Sequence, residues 1–174
     1  AGLLMAASRA ALRTMIEGRA SISEALYEVN KLLMRDAAGR FVTLFLGLID
    51  LEERTLSYSN SGHTPGLLLR KDSGTTDELS VGGTVLGAFE DFGYTEDTVD
   101  METGDTLVLY TDGALEQKNP AGKEFGSERL YRLVWESENL DALGMTRAIA
   151  NSISDFAESG SQRDDLTVVA VKFV

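Results

Sequence analysis

The chain has 174 residues, 43% of them hydrophobic and 25% charged, which is the composition of one soluble globular domain able to bury a substantial core. Its 16 Lys and Arg stand against 28 Asp and Glu, a net charge of -12 that repels phosphate backbones and anionic lipid, so neither nucleic acid nor a membrane surface is an expected partner. The absence of Cys excludes disulfides, thiolate metal sites and a Cys nucleophile and fits a reducing cytoplasm, and no apolar run approaches transmembrane length.

Ala1 to about Glu17 is rich in Ala, Leu, Met and Arg and predicts a helix, with Leu3, Leu4, Ala7, Ala11 and Ile16 as an apolar stripe ended by Gly18. The chain opens as though inside this helix, so a segment upstream of Ala1 is expected. Ser21-Ile22-Ser23-Glu24 has the form of a capping box, with Ser21 as N-cap and Glu24 reaching back. The helix it starts buries Ile22, Ala25, Leu26, Val29, Leu32 and Leu33 and stops near Ala38-Gly39. From Phe41 the period changes to that of a strand running to Asp50, with Leu51 to Arg54 as a hairpin turn and Thr55 to Asn60 as the returning partner. Ser61 to Gly66 is a turn-rich loop around the only His, Leu67 to Arg70 a short strand, and Lys71 to Glu78 a polar, exposed loop. Gly82 to Gly87 is Gly-rich but lacks the spacing of a phosphate loop and opens no helix, so it does not read as a nucleotide site.

Tyr94 to Asp100 alternates as a strand and leads into the stretch that organises the chain, Thr106 to Tyr110, an apolar β-favouring run that reads as a buried strand. It is entered through Gly104-Asp105 and left through Asp112-Gly113, which puts a carboxylate where a buried strand reaches the surface. An isolated Asp-Gly is an ordinary turn, but this one also suits a hard metal ion, because the strand fixes the backbone and Gly permits close approach. After it comes a loop, Gln117 to Lys123, with the turn signal at its middle; Ser127 caps a helix to about Glu136. A second helix runs from Leu140 to about Glu158 with Leu143, Ile149, Ile153, Phe156 and Ala157 inward. Ser159 to Arg163 leads to Asp164-Asp165 and a closing strand through Val171. Two buried strands, each with an Asp at one end, are expected to place Asp112 and Asp164 side by side. The order of elements predicts an α+β fold, antiparallel sheet covered by helices.

One His, no Cys and no Gly-x-Ser-x-Gly leave little room for a nucleophilic triad, and no zinc-ligand spacing is present. His63 stands alone in its loop and is expected to be structural. An Asp-rich site without nitrogen or sulfur suits Mg²⁺ or Mn²⁺. Two such ions about 3.5–4 Å apart can hold a bridging hydroxide in line with phosphorus.

These residues carry a family resemblance. Leu107 to Glu116, with Asp112-Gly113 at its middle, and Arg163-Asp164-Asp165-Leu166-Thr167 resemble two signature motifs of the metal-dependent type 2C (PPM) protein serine/threonine phosphatases. Ser59 to Pro65 and Gly83 to Gly87 are similar to the Asn-Ala-Gly-His-x-Pro and Gly-x-x-Leu-Gly segments of the bacterial branch that includes stage II sporulation protein E and the sigma-factor-regulating phosphatases. Ala1 to Ala6 resembles the first helix of that branch, so the likeness runs through the whole chain in the family's order.

The resemblance implies a β-sandwich flanked by helices on both faces. It implies Asp112 and Asp164 as metal ligands, with Gly113, Glu116 and Asp165 around them, and a metal-activated water as the nucleophile. The family's first metal motif, Asp-x-Ser-Gly-x-Gly, would lie just before Ala1, so the chain by itself is expected to assemble the two-metal centre poorly. The implied reaction is hydrolysis of phosphoserine or phosphothreonine on a regulatory protein, an anti-sigma-factor antagonist in bacterial partner switching, by a cytoplasmic protein that dimerises or carries a sensor domain. The helical pair 1–38 is implied to act as a switch. The alternative from another class is a non-catalytic signalling module of the same fold.

Overall fold

The computed structural model describes residues 2–16, 21–36, 39–157 and 165–174. The chain forms two compact units, Ala1–Pro65 with Leu79–Met101, and Gly66–Glu78 with Glu102–Val174.

In the first unit, α1 (Gly2–Ile16) and α2 (Ile22–Asp36) precede the sheet. Ser21 acts as expected, its Oγ accepting the Glu24 N–H at 3.2 Å, while the Ser23 N–H donates to the Glu96 carboxylate at 2.6 Å. Both bonds satisfy amides that a helix start leaves without partners. The spacing of Ile22, Leu26, Val29 and Leu33 puts them on one face, where they are buried together with Leu86 and Tyr94. Ala11, Leu12 and Met15 of α1 pack against this cluster. Leu32 is only half-buried. The expected stop at Gly18, Ala38 at the end of α2, and the side chains of Leu3, Leu4 and Ala7 lie outside the described residues.

Strands β1 (Leu44–Asp50) and β2 (Thr55–Ser61) form the predicted antiparallel hairpin, in register from Leu44 opposite Ser61 to Asp50 opposite Thr55. The strand begins later than Phe41 because Phe41 is exposed and Val42 instead exchanges two backbone bonds with Leu86, at 2.9 and 2.8 Å. The Gly-rich passage has a packing reason. β5 (Gly82–Gly83) lies parallel to β2, and a Cβ on Gly82 would sit 2.0 Å from the Asn60 carbonyl oxygen, so only Gly permits that approach. β6 (Asp97–Asp100) pairs with β2. It starts three residues later than the expected Tyr94, because Thr95 turns its N–H to the Gly82 carbonyl and its own carbonyl to Ser59 Oγ.

The second unit contains β3 (Gly66–Arg70), β4 (Thr75–Leu79), β7 (Thr106–Tyr110) and β8 (Val168–Lys172), ordered β4-β3-β7-β8, with α3 (Gly113–Glu116), α4 (Ser127–Glu136) and α5 (Ala142–Ala157). Its core joins Leu67, Leu69, Val108 and Tyr110 of the sheet to Leu130, Val134, Met145, Ile149 and Ile153 of the helices. Fully burying a Leu or Ile contributes about 1.5–3 kcal/mol, so this cluster is the main cohesive term.

Lys71 to Glu78 is not all loop, since its second half is β4. That edge strand has no apolar alternation to reveal it. Its polar side chains are fastened instead, Thr76 accepting the Trp135 Nε1–H and Glu78 the Tyr131 hydroxyl, both at 2.8 Å, while Arg70 Nε donates to Asp77 at 2.7 Å. Burial and the Glu78 carboxylate raise the Tyr131 hydroxyl's pKa well above the ordinary tyrosine range. Leu143 is 57% exposed rather than inward, because it is two positions from Met145 and so lies on the opposite face of α5. Helix α5 starts at Ala142, after Asp141 accepts the Gly144 N–H at 2.7 Å. Ser127 is the first residue of α4 rather than its cap, a place taken by Gly126.

Candidate metal centre

β7 is held on both sides, by β3 and by β8, and its five register pairs with β8 run from Thr106 opposite Lys172 to Tyr110 opposite Val168. All of β7 but Leu109 is buried, and its entry is fixed by Asp105. That carboxylate, 3% exposed, accepts the Lys71 N–H and an Arg70 Nη1–H at 3.0 Å each and the Glu102 N–H at 3.1 Å. The strand therefore delivers the residues at its far end from a rigid base.

Beyond Tyr110, the ladder continues through one more residue. The Thr111 N–H donates to the Thr167 carbonyl at 3.1 Å. Its hydroxyl donates to the Asp165 carbonyl and accepts the Thr167 N–H, both at 3.1 Å. Asp112 then turns the chain: its Oδ1 accepts the Gly113 N–H at 2.9 Å, and its carbonyl accepts the Leu115 and Glu116 N–H groups at 2.8 and 2.9 Å. Gly113 and Ala114 are buried, so the turn is anchored from beneath, while Asp112, Glu116 and Asp165 are exposed. This short helix, α3, has no signal in the sequence, since four residues give no periodicity to read.

Asp112 is exposed and has no ion pair among the described residues. Asp164 lies outside the described residues, so its expected place beside Asp112 is not read from the geometry. What the structure does bring together is the Asp112 turn and the backbone of Asp165 to Thr167. Among the described residues no three His, Cys, Asp or Glu side chains gather into a metal cage. The donor chemistry on offer, carboxylate oxygen without nitrogen or sulfur, matches Mg²⁺ or Mn²⁺ and excludes a soft-metal site.

His63 serves its loop. Asn60, 4% exposed, accepts the His63 N–H at 2.8 Å and donates to the His63 carbonyl at 3.0 Å, closing a turn by side chain rather than by ladder. The imidazole Nδ1 is 3.4 Å from Thr43 Oγ1. Sequence reasoning missed Thr111, although a Thr before Asp-Gly and a second Thr after Asp-Asp were both in view.

Residues 1–174 match the family model for Stage II sporulation protein E (SpoIIE). The chain is similar to protein IcfG of Synechocystis sp., with 31% identity over 132 residues, 75% of this chain and 20% of that protein. It is also similar to phosphoserine phosphatase RsbU of Bacillus subtilis, with 25% identity over 173 residues, 99% of this chain and 51% of that protein. It thus spans about half or less of the length of these curated relatives. Among solved structures, the SiaA-PP2C domain of Pseudomonas aeruginosa superimposes with a TM-score of 0.84 at 23% identity, covering 99% of this chain and 70% of that one, which shows a shared fold. No helix of the described residues is long and apolar enough to cross a membrane. A family match over the whole chain, together with the PP2C fold, makes this chain a member of the Stage II sporulation protein E (SpoIIE) family.

Proposed function

We propose that this chain is the phosphatase domain of a metal-dependent protein that hydrolyses phosphoserine or phosphothreonine on a regulatory protein. The observation that carries the reading is Asp112, an exposed carboxylate without an ion pair among the described residues, presented at the end of a buried strand by its bond to the Gly113 N–H. Asp112 and Asp164 would hold the metal, with Gly113, Glu116 and Asp165 around them. Bound Mn²⁺ or Mg²⁺ would neutralise phosphate charge and acidify a water for attack on phosphorus. No side chain needs to act as nucleophile, in keeping with the absence of Cys and the structural use of His63.

The Gly113 N–H bond fixes the orientation of one Asp112 oxygen and leaves the other for a ligand. With a net charge of -12, a phosphorylated substrate has to be drawn in by the ions rather than by the protein's overall field. RsbU, among the similar proteins, is a phosphoserine phosphatase, which supports serine as the substrate residue. A phosphorylated anti-sigma-factor antagonist is the substrate we infer within that class.

The test is phosphate release by the full-length protein from a phosphoserine-bearing regulatory protein. Release should rise with added Mn²⁺ and fall to background with a chelator. Equal release in chelator would overturn the proposal. The alternative, a non-catalytic binding module, draws on the absence of a three-carboxylate cage among the described residues. It requires partner binding with no release at any Mn²⁺ concentration.

A further inference from the structure

We propose that Thr111 is a positioning residue for the metal site, acting through its hydroxyl. The inference rests on the phosphatase reading above and extends it to a residue that binds neither metal nor substrate. Three bonds converge on Thr111. Its backbone N–H reaches the Thr167 carbonyl, and its hydroxyl both donates to the Asp165 carbonyl and accepts the Thr167 N–H.

The backbone bond only prolongs the pairing of β7 with β8, but the two hydroxyl bonds act beyond it. β8 begins at Val168, so beyond the one backbone bond at Thr167 no strand ladder holds Asp165 and Leu166. The backbone groups there are exposed and have water as an alternative, so a hydroxyl that serves as donor and acceptor at once ties this segment to the end of β7 rather than merely satisfying it. The clamp is next to the carboxylates in the chain: Asp112 follows Thr111, Asp165 supplies the bonded carbonyl, and Asp164 precedes Asp165 in sequence. Metal ligands on two separate segments bind well only when those segments are held in register before the ion arrives. Leu, Ile or Val at position 111 would continue the strand equally well, so strand formation alone does not call for a hydroxyl.

The test is Mn²⁺ binding to the full-length protein, read as free Mn²⁺ by electron paramagnetic resonance, for wild type, Thr111→Val, Thr111→Ser and Asp112→Asn. Thr111→Val keeps the shape and the backbone bond and removes both hydroxyl bonds. Its apparent Kd for Mn²⁺ should rise about tenfold or more, as for other residues that orient ligands, while Thr111→Ser stays within about twofold of wild type. The metal-free melting temperature reports folding separately, and Thr111→Ala repeats the deletion should Thr111→Val not fold. Wild-type affinity in the hydroxyl-deleted variants, with Asp112→Asn impaired, overturns the role of Thr111 and leaves the metal site standing. Wild-type affinity in Asp112→Asn overturns the metal reading itself.

Discussion

Replacing Asp112 with Asn is expected to lower kcat/KM for phosphoserine hydrolysis by at least about a hundredfold, since residues that merely orient metal ligands already cost about 10–100-fold when removed. The substitution is chosen because it isolates charge. An Asn oxygen can still accept the Gly113 N–H, so the turn into α3 keeps its side-chain bond, and the buried Gly113 and Ala114 beneath it are untouched. What is lost is a carboxylate that has no ion pair among the described residues, so no cation is left stranded by the change. Stability should therefore stay close to that of wild type while turnover falls. Steady-state kinetics at saturating Mn²⁺, beside a thermal melt, separate the two. A variant that retains kcat/KM within a few-fold of wild type would remove Asp112 from the site.

The largest effect on stability is expected at the other end of the same strand. Asp105→Ala should destabilise the protein by about 3 kcal/mol or more, since it takes the acceptor from three donors and each donor left unsatisfied costs about 1–3 kcal/mol. Asp105 is 3% exposed, and its two oxygens satisfy the Lys71 and Glu102 amides and the Arg70 guanidinium together. Arg70 also has Asp77, at 2.7 Å, so it is not left without an ion pair; the cost falls on the two backbone amides and on the guanidinium hydrogen that Asp77 does not take. Asp105→Asn keeps acceptor oxygen and shape and should recover part of the loss. Chemical denaturation curves give the comparison. A loss below about 1 kcal/mol for the Ala variant, the worth of one ordinary hydrogen bond, would mean that the entry to β7 is held by its ladder alone.

These two residues also show what a sequence discloses. The buried run Thr106 to Tyr110 was legible to the residue because a strand covered on both faces has to be apolar throughout, and turn residues bound it on both sides. Helix α2 was legible for a similar reason, an N-cap followed by an apolar stripe at helical spacing. β4 was not, because an edge strand can be built from Thr, Asp and Glu when its partners are side chains such as Trp135 and Tyr131, far away in sequence. Leu143 failed for the complementary reason: an apolar residue on a helix need not face the core, and only its offset from Met145, Ile149 and Ile153 decides.

At the candidate site, Asp112 was read correctly as a carboxylate at the surface end of a buried strand, because the period of the strand and the Asp-Gly pair are both local signals. Its bond to Gly113 is local too. The clamp by Thr111 was not legible, since it joins residues 54 and 56 positions apart, and no local pattern distinguishes a Thr hydroxyl that bonds across strands from one that meets water. The role of Asn60 in shaping the loop around His63 was hidden for another reason. The motif marks a turn but does not say that a buried amide closes it.

The most direct measurement is the anomalous scattering of Mn²⁺ in crystals of the full-length protein. The account predicts a peak within about 2.5 Å of an Asp112 oxygen, the reach of a bond from oxygen to a hard divalent ion, with Asp164 on the same ion. Asp112 bound only to the Gly113 N–H, with manganese found elsewhere or not at all, would contradict it.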